Sequence, residues 1–275
     1  VPDLEPLLRL WRALDGLFAA EARTSWGAVV TDARYPDVQE ANYARVEATR
    51  PVSLEEVEAA LLPAIAPVGC RREHVVVFFP EAQTDLLVEA STRGERLVWD
   101  LVMVHEGRAG ATGDEDPVEE VRRPDEAFWH AHRGSIRLFD VHDERVLDQL
   151  SAIEREVLVP SGRRWFVIRG PSGRPEAFAA LLVLDGVGFV DHVVTLPEAR
   201  RRGHATALTR RLLAEASAVG AERTYLLTDP RGVAEALYAR LGFTRVSQVA
   251  SWIAPLDRPG VTSAQVRRST SGGGR

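Results

Sequence analysis

The stretch Val193-Val-Thr-Leu-Pro-Glu-Ala-Arg-Arg-Arg-Gly-His-Ala-Thr-Ala-Leu208 decides how this chain is read. A β-branched strand ends at Thr195, the chain turns at Pro197, and Arg200-Arg201-Arg202-Gly203 leads into a helix. On that helix Ala205, Leu208, Leu212 and Ala216 recur at helical spacing. The first turn of a helix carries N–H groups with no internal partner, and the helix dipole adds about half a positive charge there. Gly203 lets an anion approach the backbone closely, and three adjacent arginines raise the potential further. The residues therefore suit a phosphate. An ordinary strand–turn–helix connection with an exposed arginine run fits them as well. The G-x-G-x-x-G spacing of a dinucleotide fold is absent.

Downstream, Ala234-Glu-Ala-Leu-Tyr-Ala-Arg-Leu-Gly-Phe243 sets Ala234, Leu237 and Leu241 on one helix face, with Gly242 at the C-cap. Tyr238 stands about 100° around that helix from Leu237, and taken alone it reads as an amphipathic packing residue. Strands are expected at 164–169, 177–185, 188–195, 224–228 and 246–253. Helices are expected at 142–157, 205–219 and 231–241. In the first half, helices are expected over 4–22 and 54–66, the latter opened by the capping box Ser53-Leu-Glu-Glu56. Strands at 74–79 and 96–104 with a helix between them complete that half. Residues 106–127 read as a linker and 257–275 as a disordered tail. The segment 67–80 echoes 218–230: Val68-Gly69 matches Val219-Gly220, Pro80 matches Pro230, and each is followed by a helix, a glycine and a strand. A spacing of about 150 residues points to a duplicated domain.

Composition narrows the chemistry. The chain has 275 residues, 45% hydrophobic and 27% charged, enough apolar material for two cores. All 34 basic residues are arginine, as in a GC-rich bacterial genome, and the net charge is −6. Without lysine there is no P-loop lysine and no Schiff base. An acidic chain is not expected to bind nucleic acid in general. Cys70 is the only cysteine, so there is no internal disulfide and no cysteine zinc site, and it reads as a core filler. His130, His132 and His142 read as surface histidines rather than metal ligands, and Asp114-Glu-Asp116 with Glu119-Glu120 as a solvated charge run. The aromatic stretch around Trp26, Tyr35 and Tyr43 reads as core packing, with the lining of a substrate cleft between the domains as the alternative. No leader-like segment and no run of about 18 apolar residues is seen, so the expectation is a cytoplasmic protein without membrane contact.

The R-x-x-G-x-A loop at Arg200, Gly203 and Ala205 follows a V-x-T-x-P-E strand end. The Leu-Tyr-x-x-Leu-Gly-Phe motif comes about 33 residues later. Together, over roughly 135–256, they resemble the Gcn5-related N-acetyltransferase (GNAT) superfamily. The resemblance implies an α/β protein of two GNAT-like domains, a degenerate one over 1–105 and a catalytic one over 128–256. The first hundred residues lack the loop, and Leu87 and Val88 stand near the aligned tyrosine position, so that domain is expected to be silent.

The resemblance also implies a mixed sheet with two central strands splayed apart and acetyl-CoA in the splay. The backbone of Val193, Val194 and Thr195 would pair with the pantetheine arm. The amides from Arg201 through Arg202, Gly203, His204 and Ala205 to Thr206 would hold the pyrophosphate, with Arg200 where the family accepts Gln or Arg. Tyr238 would be the general acid for the CoA thiolate. Asp191 and His192 are the candidate bases. Strand alternation puts them on opposite faces, so at most one enters the cleft. Asp191 is preferred because such strands often carry an acid, and both also fit as plain sheet-face residues. The family's asparagine before the last helix is replaced by Thr228-Asp229-Pro230-Arg231.

The expected reaction is acetyl transfer to a primary amine by direct attack, without a metal. The acceptor is a small-molecule or peptide amine, and the protein a monomer or homodimer. The alternatives are a non-catalytic acyl-CoA-binding or regulatory module, or use of a longer acyl-CoA.

Overall fold

The computed structural model describes residues 4–107 and 117–257. They form a mixed α/β protein in two compact units, one from residues 4–14 and 101–247, the other from residues 15–100 and 248–257. The first is called the C-terminal unit and the second the N-terminal unit.

The C-terminal unit begins with helix α1 (Glu5–Asp15). Its Trp11 packs edge-on against Phe189 at 5.4 Å. Strands β5 (Val98–Glu106) and β6 (Val118–Glu120), then helices α4 (Glu126–Ile136) and α5 (Glu144–Ile153), precede the meander β7 (Arg164–Arg169), β8 (Pro175–Leu184) and β9 (Val187–Thr195). Helix α6 (His204–Ala218), strand β10 (Arg223–Thr228) and helix α7 (Ala234–Arg240) follow, and strand β11 (Thr244–Pro255) starts here. The strand order is β5-β10-β9-β8-β7-β6. β7, β8 and β9 pair antiparallel, and β10 runs parallel to β9, as a strand–helix–strand crossover through α6 requires. One sheet face packs Leu208, Leu212 and Ala216 of α6 with Tyr238 and Phe243. The other packs Phe128 and Trp129 of α4 on Trp165, Val167, Phe178 and Ala180. Buried side chains alternating to both faces need a helix on each side.

The N-terminal unit repeats the succession. β1 (Ala20–Arg23), β2 (Gly27–Thr31) and β3 (Tyr43–Val46) form a meander; α2 (Leu54–Ile65) leads to β4 (Arg72–Val77), parallel to β3, and α3 (Thr84–Thr92) follows. The core gathers Leu61 and Ile65 of α2, Val75 and Val77 of β4, and Trp252 and Ala254 of β11. A buried cluster centres on Arg45, whose guanidinium pairs with Asp15, Glu21 and Glu47 while the Tyr43 hydroxyl donates to Asp15 at 2.6 Å.

The two units exchange their closing strands. β5 follows α3 in sequence, yet its residues 101–106 pair antiparallel with β10 of the C-terminal unit. β11 follows α7, yet its residues 250–255 pair with β4 of the N-terminal unit. The chain therefore divides at 14, 100 and 247 rather than at the expected 105, because pairing crosses the sequence midpoint twice.

Other differences have local causes. The first helix stops at Asp15 rather than 22: Gly16 follows, and the Asp15 carboxylate is drawn into the Arg45 cluster. β1, β2 and β3 were not expected, being four or five residues long with little clean alternation. Part of the expected linker is ordered: Val118–Glu120 pairs with β7, and 126–136 is a helix capped by Asp125, whose side chain accepts from the Phe128 N–H. That helix buries Phe128, Trp129, His132, Ser135 and Ile136, so His132 lies on its inward face rather than at the surface. Asp114-Glu-Asp116 and residues 258–275 lie outside the described residues. Cys70 is buried, and desolvation raises its thiol to about 11. Trp26, Tyr35 and Tyr43 are all core residues. Among the described residues no helix is long and apolar enough to cross a membrane.

Candidate functional site

β9 and β10 pair only where they begin, at Val187, Gly188 and Phe189 against Arg223, Thr224 and Tyr225. Beyond that point β9 stays with β8 to Thr195 and β10 stays with β5 to Thr228. Two parallel neighbours that each keep their outer partner but lose one another leave a wedge, open towards their C-terminal ends. Backbone groups on the facing edges are then available to an extended ligand.

A β-bulge sits at the mouth of this wedge. Phe178 opposes Val194 and Ala180 opposes Asp191, so His192 and Val193 together oppose Ala179 alone. His192 takes a left-handed backbone, φ 51. The bulge corrects the simple alternation expected of this strand. Val190 and Val193 pack in the core beneath α6, whereas Asp191 and His192 both turn to the side of Trp165, Asp191 through Arg163 and His192 through its ring.

There the two residues enter a polar cluster. Arg163 Nη2 donates to Asp191 Oδ2 at 2.7 Å, and the His192 N–H donates to Asp191 Oδ1 at 2.7 Å. Arg163 lies 5.3 Å over the Trp165 ring and reaches Glu154 Oε2 at 3.4 Å, which also accepts the Trp165 indole N–H at 3.1 Å. Glu154 opens a π-helical turn, Glu154–Leu158, that points it inward. Burial opposes charge on Asp191, but Arg163, His192 and the bonds they donate outweigh it, and the carboxyl titrates below its ordinary value. Burial raises Glu154. Asp191 is surrounded by protein yet keeps 44% of its side chain open to solvent, as a group on the wall of a cleft does.

His192 Nε2 lies 2.7 Å from Ser135 Oγ on α4, which itself donates to the His132 carbonyl at 2.7 Å. The His192 ring lies 5.0 Å from Trp165 and 5.1 Å from both His132 and Phe139. Desolvation lowers His192 to about 4 and His132 to about 2, so both are neutral at pH 7.

Tyr238 reaches this region from α7. Its ring packs on Phe243 at 5.8 Å and is 7% exposed. Its hydroxyl has no hydrogen-bond partner among the described residues, and burial, then the charge of Asp191, raises it to about 12. Past Thr195, a short 3-10 turn (Pro197–Ala199) leads to Arg201 at φ 64 and Gly203 at φ 85, the N-cap of α6. Gly203 supplies no capping side chain, and among the described residues the amides of 201–206 have no partner. Arg200 Nε donates to the Thr195 carbonyl at 3.2 Å, Arg202 reaches Glu176 at 3.3 Å, and His204 Nε2 is 3.6 Å from the same carboxylate. Val194 is buried, while Val193 and Thr195 are partly exposed. Ala205 and Thr206 occupy the first turn, with only partial burial. Asp229 accepts from the Arg231 N–H at 2.8 Å, and both side chains are exposed.

The equivalent positions of the N-terminal unit are closed. β3 and β4 remain paired to their ends, Val46 against Val77, and the Phe78 N–H donates to the Val46 carbonyl at 2.9 Å. At the start of α2 the Ser53 hydroxyl accepts the Glu56 N–H at 3.1 Å and the Glu56 carboxylate accepts the Ser53 N–H at 3.0 Å. The Val52 N–H donates to the buried Gln83 side chain at 2.9 Å. A helix end filled by its own carboxylate repels an anion rather than attracting one.

Sequence reasoning passed over Arg163, Glu154 and Ser135. Arg163 preceded an expected strand and Glu154 lay in the last turn of an expected helix, while Ser135 lay beside a segment read as linker. The helical spacing of Phe128, Trp129, His132, Ser135 and Ile136 was the available signal for the last. Among the described residues no cluster of three or more His, Cys, Asp or Glu could hold a metal ion.

Residues 122–243 match the model of the Acetyltransferase (GNAT) family. Among solved structures, the chain is similar to a functionally unknown conserved protein from Staphylococcus epidermidis, with a TM-score of 0.67 at 11% identity over 85% of this chain and 92% of that one. It is also similar to a GCN5-related N-acetyltransferase from Kribbella flavida, with a TM-score of 0.62 at 21% identity over 90% and 95%. At these identities the likeness is one of fold. No curated protein matches the sequence.

Proposed function

We propose, from the match of residues 122–243 to the Acetyltransferase (GNAT) family, that the chain moves the acetyl group of acetyl-CoA to a primary amine by direct attack. The observation that carries this reading is the wedge between β9 and β10, which ends beside the free amides at the start of α6.

In this reading the amides of 201–206 hold the diphosphate, with Arg200, Arg201 and Arg202 adding positive potential. The facing edge of Val193, Val194 and Thr195 pairs with the pantetheine arm. The incoming ammonium must lose a proton before its nitrogen can attack, and in this reading the Asp191–His192 pair takes it. The new C–N bond forms as the C–S bond breaks. The Tyr238 hydroxyl, fully protonated at neutral pH, gives its proton to the departing sulfur and is restored from solvent. The N-terminal unit takes no part in cofactor binding, because its strands do not open and its helix end is self-capped.

The test is calorimetry with acetyl-CoA, followed by a panel of amines monitored for free thiol. One equivalent bound per chain and thiol release with at least one amine are expected. Absence of binding would overturn the cofactor assignment; binding without release for any amine would leave an acyl-CoA-binding module.

A further inference from the structure

Ser135 has one hydroxyl hydrogen and two close neighbours. Its Oγ is 2.7 Å from the His132 carbonyl oxygen and 2.7 Å from His192 Nε2. The carbonyl has no hydrogen to give, so at that distance the hydroxyl hydrogen must lie between the two oxygens. The contact to His192 must then be supplied by a hydrogen on Nε2. A neutral imidazole protonated on Nε2 has its lone pair on Nδ1. His132 is buried and its Nδ1 has no partner among the described residues, whereas His192 is only partly buried.

The ring cannot readily turn to exchange the two nitrogens. The bulge fixes its backbone at φ 51, and Trp165, His132 and Phe139 flank it at 5.0 to 5.1 Å. The other candidate is differently placed. Asp191 Oδ2 accepts from Arg163 and Oδ1 accepts from the His192 N–H. Protonating that carboxylate would give up a charge-assisted pair and leave the buried guanidinium of Arg163 with Glu154 alone.

We propose that Ser135 is a positioning residue that holds His192 with its proton on Nε2, so that His192 Nδ1, rather than the Asp191 carboxylate, receives the proton of the incoming amine. The inference rests on the acetyl-transfer reading and deepens it by naming the accepting atom. In the step, the ammonium proton passes to Nδ1, the freed nitrogen lone pair forms the C–N bond, the C–S bond breaks, and the sulfur takes the Tyr238 proton. The resulting imidazolium has its Nε2–H still donated to Ser135, while the adjacent Asp191 carboxylate balances its charge. His192 is neutral before the step, in keeping with the desolvation that lowers it to about 4.

The test is nitrogen NMR of the full chain labelled at histidine, with the His192 signals identified by their loss in His192→Gln. A protonated, pyrrole-type Nε2 and a bare, pyridine-type Nδ1 are expected at neutral pH. In Ser135→Ala the two forms should mix, and kcat should fall roughly tenfold, the weight of one hydrogen bond, with KM for acetyl-CoA unchanged. A wild-type spectrum with the proton on Nδ1 overturns the inference even if the variant does not fold, as does Ser135→Ala with unaltered kcat while amines are still acetylated. No thiol release with any amine would instead bring down the acetyl-transfer reading, and with it the proton-accepting role.

Discussion

Replacing Gly203 with valine separates the phosphate-loop proposal from simple fold maintenance. Gly203 caps α6 at φ 85, a left-handed conformation that costs an L-residue about 1–2 kcal/mol. A Cβ built there meets no atom within 4 Å, so no clash adds to the backbone cost. At about 2–4 °C per kcal/mol for a unit of this size, Tm should drop by roughly 2–8 °C. The same open space is where the diphosphate would approach the amides of 204–206. Loss of two hydrogen bonds to a charged group, each about 1.5–3 kcal/mol, weakens binding by about 3–6 kcal/mol, or roughly 10²–10⁴-fold in Kd. Affinity should therefore collapse in a protein that still folds. Calorimetric titration with CoA beside a melting curve reads both quantities, and Gly203→Ala should share the melting shift with a smaller loss of affinity. A folded Gly203→Val protein that binds CoA within about threefold of the unaltered chain would refute the reasoning.

Tyr238→Phe should lower turnover by about 10²–10⁴-fold in a thiol-release assay with CoA affinity unchanged, because a hydroxyl without a protein partner is lost while the ring stays packed on Phe243. Stability should fall as pH drops from about 6.5 to 4 in acid-titration melts. His74, His132 and His192 are held below their ordinary value by desolvation, to about 4, 2 and 4, so the unfolded chain takes up protons first. For His74 and His192 the loss is on the order of 3 kcal/mol each, and flat stability across that range would contradict their buried, neutral state. The chain severed between residues 107 and 117 should give two pieces that fold only when produced together, since β4 and β10 each need a strand from the other piece; circular dichroism of each piece alone would expose an error by showing a cooperative melt.

The turn at the start of α6 was legible because its signals are contiguous: a proline, an arginine run, a glycine and an apolar repeat within sixteen residues. Tyr238 became legible only through its motif, since periodicity gives a helical tyrosine no more than a packing role. The bulge was illegible because strand alternation assumes one residue opposite one, and His192 breaks that count with a backbone few side chains adopt. Arg163, Glu154 and Ser135 come from three separate elements, and no local pattern says that they meet. The charged flanks of 126–136 hid a helix whose inward face was there in the spacing. The echo between the halves suggested self-contained repeats, whereas the pairing partners lie across the sequence midpoint.

That crossing has a consequence during synthesis. Val77 pairs with Ala250, about 170 residues later, so one side of β4 waits for all the residues between them to leave the ribosome. Trp252, fully buried in the N-terminal unit's core, arrives last of all its large side chains. A nascent chain stalled before residue 248 would present an unsatisfied strand edge and an incomplete core, the kind of surface that chaperones bind. Residues 15–100 thus belong to a unit that cannot close until β11 is released.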